Sequence, residues 1–187
     1  MNRLEVIESQ KINGLKTIRR KIFGDSRGFF SRIFDLQELQ QIGWENRQIC
    51  QINQSFTQQI GSVRGMHFQT PPFNDSKIVT CIKGKVLDIA VDIRKNSPTF
   101  LQYQAVELSE NNATSFWIPE GFAHGFQTLS DDCMLLYIHS QPFSAESDCG
   151  LNPLDPKLNI AWQLPISCMS EKDKNRKSID ETNFQGI

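Results

Sequence analysis

Only three histidines occur in this chain of 187 residues, His67, His124 and His139, and imidazole is the side chain that titrates near neutral pH. A neutral imidazole acts as a base once a carboxylate orients it and stabilises the imidazolium. Lys77 and Tyr137 lie in apolar, strand-like runs and would add a cation and a phenol. A base, a cation and a phenol together can remove a proton from a carbon next to a ketone, stabilise the enolate oxygen and return a proton to the opposite face.

Each of these side chains also has an ordinary structural interpretation. His67 would be a histidine of a half-buried strand, hydrogen-bonded to a neighbour, and Lys77 would be a surface charge at the end of a strand. Tyr137, which shares a face with Leu135 and His139 by strand alternation, would be a core aromatic residue with a satisfied hydroxyl group.

The strand around His67, residues 62–69 (SVRGMHFQ), poses a geometric question. Alternation places Gly65 and His67 on one face and Arg64 on the other. For Arg64 and His67 to reach one substrate, either Gly65 permits a β-bulge that turns one of them, or Arg64 reaches around the edge of the strand.

The elements that must position these residues are mostly short strands separated by turn residues. We predict strands at 4–8, 14–19, 29–34, 62–69, 77–82, 86–93, 101–108, 114–118 and 133–139, and a short helix at 36–42. Such a pattern predicts an all-β antiparallel sandwich or barrel in one domain, residues 1–187. Its core is expected at about 15–175, with a polar tail at about 174–187. A few short helices are expected, including near the C-terminus, where the polar residues are predicted to form a short helix or irregular segment laid over the body.

The composition excludes several classes of protein. With 20 basic and 21 acidic residues, the chain has no broad charge for binding nucleic acid or an anionic membrane. No apolar run approaches the roughly 18 residues of a transmembrane helix, and the N-terminus lacks the apolar region of a secretory signal. Five widely spaced cysteines without a CxxC pair indicate buried thiols in a reducing compartment. We therefore expect a cytoplasmic protein with neither a nucleic acid nor a membrane partner.

Residues 119–126 (PEGFAHGF) contain a Pro-x-Gly-x-x-His spacing that resembles the second conserved motif of the cupin barrels. The first motif of metal-binding cupins has a His-x-His pair and a downstream Glu, whereas here Phe68 and Gln69 follow His67. A mononuclear metal site needs three or four converging ligands. We therefore expect a cupin-type jelly-roll barrel without a metal.

The whole sequence resembles the dTDP-4-dehydrorhamnose 3,5-epimerases, the metal-free cupin enzymes of nucleotide-deoxysugar synthesis. The matching pieces, in chain order, are FGDSRGFF, QIN, SVRGMHFQ, SKIV, VLDIAVDIRKNSPTF, FWIPEGFAHGF, LLY and MSEKD, which span about residues 15–175. The resemblance implies a homodimeric, cofactor-independent isomerase. Its substrate would be a nucleotide-linked 4-keto-6-deoxyhexose, inverted at the carbons that flank the ketone.

Residue by residue, the resemblance makes His67 the general base and Asp173 its carboxylate partner. Lys77 would face the 4-keto oxygen, and Tyr137 would be the acid on the opposite face. Arg64 would bind the diphosphate, because a guanidinium meets its oxygens bidentately. The other positions that match the sugar-nucleotide site are Arg27, Gln51, Asn53, His124 and Lys172, with Phe23 as a candidate to stack on the base and Asp148 where the family often has Glu.

The sequence departs from the family pattern mainly around the nucleotide and the far side of the sugar. Arg32 replaces a usual glutamate, Thr80 replaces a common arginine, and an Ile-His pair instead of a lysine follows Tyr137. Segment 141–155 has lost a Trp-Asn-Asp run and, of a usual pair of tyrosines, keeps only Phe143. The sequence therefore does not identify which nucleotide and which sugar the substrate contains.

Three interpretations follow from these residues. The favoured one is a sugar-nucleotide epimerase acting at carbon 3, carbon 5 or both, including action at carbon 3 alone or on a CDP- or GDP-linked sugar. The second is a related 3,4-ketoisomerase, which also begins from an enolate. The third is a non-catalytic or metal-using cupin, in which His67, His124 and His139 would have to converge.

Overall fold

The structure is a computed structural model that describes residues 3–41, 43–45 and 47–187. Its strands are β1 (Leu4–Glu8), β2 (Lys16–Arg20), β3 (Ile22–Asp25), β4 (Gly28–Ser31), β5 (Gln51–Thr57), β6 (Val63–Gln69), β7 (Lys77–Lys83), β8 (Lys85–Asp92), β9 (Tyr103–Ser109), β10 (Thr114–Ile118), β11 (Phe122–Thr128), β12 (Cys133–His139) and β13 (Asp148–Gly150). Its helices are α1 (Leu36–Gln40), α2 (Glu171–Lys174) and α3 (Ile179–Thr182).

The strands form two facing antiparallel sheets and a separate hairpin. The six-stranded sheet has the order β1-β2-β10-β7-β12-β5, the five-stranded sheet has the order β13-β6-β11-β8-β9, and β3 pairs only with β4. This arrangement confirms the predicted all-β cupin-type barrel. Strands β3, β5, β11 and β13 were not predicted as strands, and the last residue of the predicted helix, Ile42, lies outside the described residues.

The main apolar core fills one part of the space between the sheets. Phe116 and Leu135 come from the six-stranded sheet, whereas Ala90 and Phe126 come from the five-stranded sheet, and all four are almost completely buried. The other part of the inter-sheet space is lined by polar side chains. In the described ranges no helix is long and apolar enough to cross a membrane.

The C-terminal segment, predicted as a polar tail at 174–187, packs on the body of the protein. Ile179 is buried in an apolar cluster on the outer face of the five-stranded sheet, and Phe184 packs against the same cluster. The backbone N–H of Ile187 donates to the carbonyl of Ile93 at 2.9 Å. A few apolar residues spaced among the charges anchor this segment, which directly follows Asp173.

Candidate active site

A cavity of about 1090 Å³ lies between the two sheets. Strands β5, β7 and β12 line one wall, strands β6 and β11 line the other, and α2 lies at the edge. The structure brings together in this cavity Gln51, Asn53, Arg64, His67, Lys77, His124, Tyr137, Asp148, Lys172 and Asp173. These are all of the site residues predicted from the sequence except three.

A β-bulge at Gly65 lets Arg64 and His67 face the same cavity. Two residues of β6, Gly65 and its successor, oppose the single residue Gly125 of β11. Gly65 has a φ of 133°, and a Cβ there would lie 2.5 Å from the Cα of Gly125, so that only glycine fits. The extra residue reverses the alternation of the strand. Of the two geometries that the sequence left open, the structure has the bulge.

His67 and Asp173 form a hydrogen-bonded pair at the edge of the cavity. The Nε2 of His67 lies 2.8 Å from Oδ1 of Asp173, whose side chain is only 4% exposed, whereas that of His67 is 43% exposed. Burial raises the pKa of Asp173, but the hydrogen bond and charge of His67 outweigh burial and lower that pKa to about 2. With Nε2 bonded to this carboxylate, Nδ1 is the ring nitrogen that can accept a proton.

Tyr137 projects into the cavity from β12, in the sheet opposite to His67. Its hydroxyl group lies 3.0 Å from that of Ser55 on β5. Burial raises the pKa of Tyr137 well above its ordinary value, so that the phenol keeps its proton at neutral pH. A protonated phenol and an imidazole therefore lie on opposite walls of one cavity.

Lys77 is buried beside Asp75, which excludes its interpretation as a surface charge. Its Nζ lies 3.6 Å from Oδ1 of Asp75, and the Nδ1 of His139 lies 2.7 Å from Oδ2 of the same carboxylate. Burial raises the pKa of Asp75, but the charge of Lys77 and the hydrogen bond from His139 outweigh it and lower that pKa. The sequence reasoning missed Asp75; its position two residues before Lys77 was the only available signal.

His124 bonds to another carboxylate that sequence reasoning did not assign to the site. Its Nε2 lies 3.0 Å from both carboxylate oxygens of Asp88, which is completely buried, and burial raises the pKa of Asp88. The three imidazoles that a metal-using cupin would need are thus paired with three different carboxylates. The described part of the chain contains no group of three or more His, Cys, Asp or Glu side chains placed to hold a metal ion.

The rim of the cavity is polar and carries positive charge. Arg64 is exposed there, and the Nζ of Lys172 lies 2.6 Å from Oδ2 of Asp148. The side-chain amide of Gln51 donates to Oδ1 of Asn53 at 2.8 Å. These groups can meet the polar and anionic parts of a ligand whose reacting part lies deeper.

Three predicted residues lie away from the cavity of their own chain. Phe23 and Arg27 belong to the β3–β4 hairpin, where Phe23 is 44% exposed and Arg27 forms an ion pair with Asp25 at 2.6 Å. Arg32, just after the hairpin, forms an ion pair with Asp35 at 2.5 Å. One chain alone therefore does not bring these three side chains to the site.

The departures from the family pattern have unequal consequences. The hydroxyl group of Thr80 is buried against that of Ser115, 2.7 Å away, and does not border the cavity. His139, in contrast, lines the cavity and stacks on Tyr137, with ring centroids 6.1 Å apart. The replacement that introduces His139 therefore alters the surroundings of Tyr137, whereas the replacement at Thr80 does not.

Comparisons with known proteins agree with this geometry. The profile of the dTDP-4-dehydrorhamnose 3,5-epimerase family matches residues 9–181. The dTDP-4-dehydrorhamnose 3,5-epimerase of Sinorhizobium fredii is 40% identical over 188 residues, covering 96% of this chain and 93% of that protein. The dTDP-4-dehydrorhamnose 3-epimerase of Streptomyces niveus is 30% identical over 176 residues, covering 94% and 84%.

Among solved structures, the chain is similar to the dTDP-6-deoxy-D-glucose-3,5-epimerase of Legionella pneumophila in complex with dTDP-4-keto-L-rhamnose. The TM-score is 0.89 at 39% sequence identity, and the match covers 95% of this chain and 93% of that one. Sequence profile, relatives and fold agree over nearly the whole length. The chain therefore belongs to the dTDP-4-dehydrorhamnose 3,5-epimerase family.

Proposed function

We propose that this protein is a sugar-nucleotide epimerase that inverts a carbon next to the ketone of a dTDP-4-keto-6-deoxyhexose. The observation that carries the proposal is the placement of the His67–Asp173 pair and Tyr137 on opposite walls of one cavity. Inversion requires removal of a proton from one face of a carbon and delivery of a proton to the other face, so base and acid must lie on opposite sides of the sugar.

In the first half of the reaction, the Nδ1 of His67 accepts the proton from the carbon next to the ketone. The electron pair of the broken C–H bond forms a C–C double bond, and the carbonyl oxygen becomes the enolate oxygen. Asp173, 2.8 Å from the other ring nitrogen, stabilises the imidazolium. The ammonium group of Lys77, buried beside Asp75, stabilises the negative oxygen in surroundings from which water is largely removed.

In the second half, the enolate collapses to the ketone and the carbon takes a proton from the hydroxyl group of Tyr137 on the opposite face. Tyr137 is left as a phenolate, with the hydroxyl group of Ser55 at 3.0 Å as its hydrogen-bond donor. Proton exchange with solvent then restores both Tyr137 and His67. The high pKa of the buried phenol suits donation to a carbanion, because only a basic enolate carbon takes its proton.

The rim supplies the contacts for the nucleotide half of the substrate. Arg64 is exposed at the cavity on the same strand as His67, and its guanidinium can bind two diphosphate oxygens at once. Lys172 adds a second positive charge near that edge. Because the bulge at Gly65 turns Arg64 and His67 toward the same cavity, the proposed phosphate contact and the proposed base come from one strand.

We further propose that the protein is a homodimer, because four of the six described large apolar side chains that are at least half exposed lie in two places, the β3–β4 hairpin and strand β5. Phe29 and Phe30 of the β3–β4 hairpin are 66% and 61% exposed, and Ile52 and Phe56 on the edge strand β5 are 60% and 50% exposed. Unpaired edges and exposed apolar surface are typical of interfaces. A hairpin from one subunit laid along the β5 edge of the other would carry Phe23, Arg27 and Arg32 toward the partner's cavity.

Light scattering tests the dimer directly. We expect twice the mass of one chain for the wild type and a monomer for Phe30→Asp, with weaker dTDP binding in the monomer. A wild-type monomer that binds dTDP normally would contradict the proposed dimer.

We also propose the cytoplasm as the compartment, since all five cysteines are free thiols.

Turnover in deuterated water tests the proposed reaction. Incubation with dTDP-4-keto-6-deoxyglucose should give deuterium at each inverted carbon, counted by mass spectrometry and located by NMR. One deuterium, at carbon 3, would indicate a 3-epimerase, the activity named for the Streptomyces niveus relative. Two deuterium atoms would indicate inversion at both carbons. A ketone moved to carbon 3 would instead indicate the ketoisomerase.

The same assay with CDP- and GDP-linked sugars decides the nucleotide. No exchange with any of these substrates would contradict the proposed function. Thr80→Ser is a suitable control for the variants discussed below, because this buried residue does not border the cavity.

A further inference from the structure

A second cation, Arg176, lies behind the His67–Asp173 pair, on the side away from the substrate. Arg176 follows α2, and its Nε lies 3.5 Å from Oδ1 of Asp173. Its Nη1 donates to the carbonyl of Gly150 at 3.3 Å, and Gly150 is the residue of β13 that pairs with His67. The carboxylate of Asp173 is therefore shared between an imidazole and a guanidinium.

The side chain of Arg176 is too closely packed and has too few hydrogen bonds for an ordinary surface arginine. Its side chain is only 14% exposed, and its Nε and Nη2 are buried without a hydrogen-bond acceptor. A Cβ on Gly150 would lie 2.4 Å from Cζ of Arg176, so the guanidinium occupies the space that this glycine leaves. Burying such donors costs free energy unless their charge stabilises a neighbour. The neighbour here is the ionised Asp173.

We propose that Arg176 is a positioning residue that holds the Asp173 carboxylate ionised and oriented and thereby sets the pH range in which His67 can accept a proton. The inference rests on the function proposed above and deepens it. No residue of the sequence motifs pointed to Arg176, because it lies outside the MSEKD piece, and it does not line the cavity.

The sign of the effect follows from the charges. A carboxylate beside an imidazole stabilises the protonated form of the ring. A guanidinium beside the same carboxylate offsets part of that attraction, so the imidazole loses its proton at lower pH. Removal of the charge of Arg176 should therefore move the acid limb of the pH profile upward.

Other charges near His67 have partners of their own or lie at the rim. The charged or titratable cavity side chains on β6 and on the elements packed against it are Arg64 on β6, His124 on β11, Asp148 on β13 and Lys172 on α2. His124 is held by Asp88, and Asp148 is held by Lys172. Arg64 is exposed, where solvent and salt screen its charge. A substitution of Arg176 leaves all of these groups in place.

The test is the pH profile of kcat/KM for deuterium exchange in wild type, Arg176→Met and Arg176→Lys. We expect the acid limb of Arg176→Met to move upward by roughly 0.5 to 1 pH unit, and that of Arg176→Lys to stay near the wild type. Arg94→Met is the matched control, since Arg94 is a half-buried arginine bonded to Asp92 outside the cavity. It should lower stability without moving the limb.

A second readout needs no substrate. The midpoint of the NMR titration of the His67 ring, assigned with His67→Ala, should move upward in Arg176→Met as the acid limb does. If Arg176→Met does not fold, Arg176→Gln removes the charge, keeps a donor near Gly150 and must show the same shift. A lower rate at every pH with an unmoved limb and midpoint would overturn the inference. Absence of exchange in the wild type would contradict the proposed function, while the NMR midpoint would still decide the role of Arg176.

Discussion

Gly65 and Gly125 meet backbone to backbone where β6 passes β11, so closely that a Cβ on Gly65 would lie 2.5 Å from the Cα of Gly125. This contact accommodates the extra residue of the bulge. The placement of Arg64 and His67 in one cavity therefore depends on this contact. A methyl group added at Gly65 should disrupt it.

Gly65→Ala should destabilise the protein by more than about 2 kcal/mol and should abolish exchange, because the strand must shift and the base must turn away. Gly43→Ala is the matched control. Gly43 has a φ of 107°, but a Cβ there would meet only ordinary contacts at 3.5 Å, so we expect about 1 kcal/mol and unchanged activity. Urea unfolding and the exchange assay measure both effects, and equal losses in the two variants would contradict the importance of the bulge.

His67→Ala should abolish deuterium exchange at every carbon, because neither half-reaction begins without removal of the proton. Tyr137→Phe should behave differently, with epimerisation lowered on the order of 100-fold or more and exchange lowered much less. Tyr103→Phe is the control, since Tyr103 lies outside the cavity and bonds to the backbone of Ala161. Equal retention of both activities in Tyr137→Phe would mean that Tyr137 is only a core aromatic residue.

Lys77→Met should lower kcat for exchange by roughly 100- to 1,000-fold, with a smaller change in KM, because its charge acts chiefly on the developing enolate oxygen. Lys83→Met is a control on the same strand: Lys83 is half exposed, pairs with Asp132 and lies outside the cavity. Steady-state kinetics over a range of substrate concentrations separate the two constants. A rise in KM alone would instead make Lys77 a binding residue.

The pH dependence of stability should reveal the ionised state of Asp173. Its pKa falls from 3.8 in the reference state to about 2 in the folded protein, because the bond and charge of His67 outweigh burial. A carboxylate with a lowered folded pKa stabilises the fold above its unfolded pKa, and this contribution, on the order of 2 kcal/mol, is lost as the pH falls from about 4 to about 2.

The difference in free energy of unfolding between wild type and Asp173→Asn should therefore be nearly constant at pH 4 to 5 and shrink below pH 4. Urea unfolding at several pH values in this range measures it. A difference that stays constant down to pH 2 would show that Asp173 is not held as a carboxylate by its surroundings.

Much of the fold was predictable because strand periodicity is local. Alternation in residues 86–93 puts Ala90 and Ile89 on opposite faces, and in the structure they belong to two different apolar clusters. Strand β5 was missed because its outward side chains, such as Ile52 and Phe56, are apolar, which obscures the alternation. The C-terminal segment was predicted to lie over the body, but where it packs could not be predicted, because its charges outnumber the few apolar residues that anchor it.

The sequence by itself determined the sheet-forming pattern, the family and the types of side chain that we propose as base, cation and phenol. Only the tertiary structure decided their partners. His67 meets Asp173 across 106 positions, and His139 meets Asp75 across 64, and no local pattern encodes such contacts. It also decided that Arg64 and His67 share a face, and it placed Arg176 beside the carboxylate that bonds to His67. Hydrogen bonds, ion pairs and close backbone packing depend on distances that arise only when the sheets close on each other.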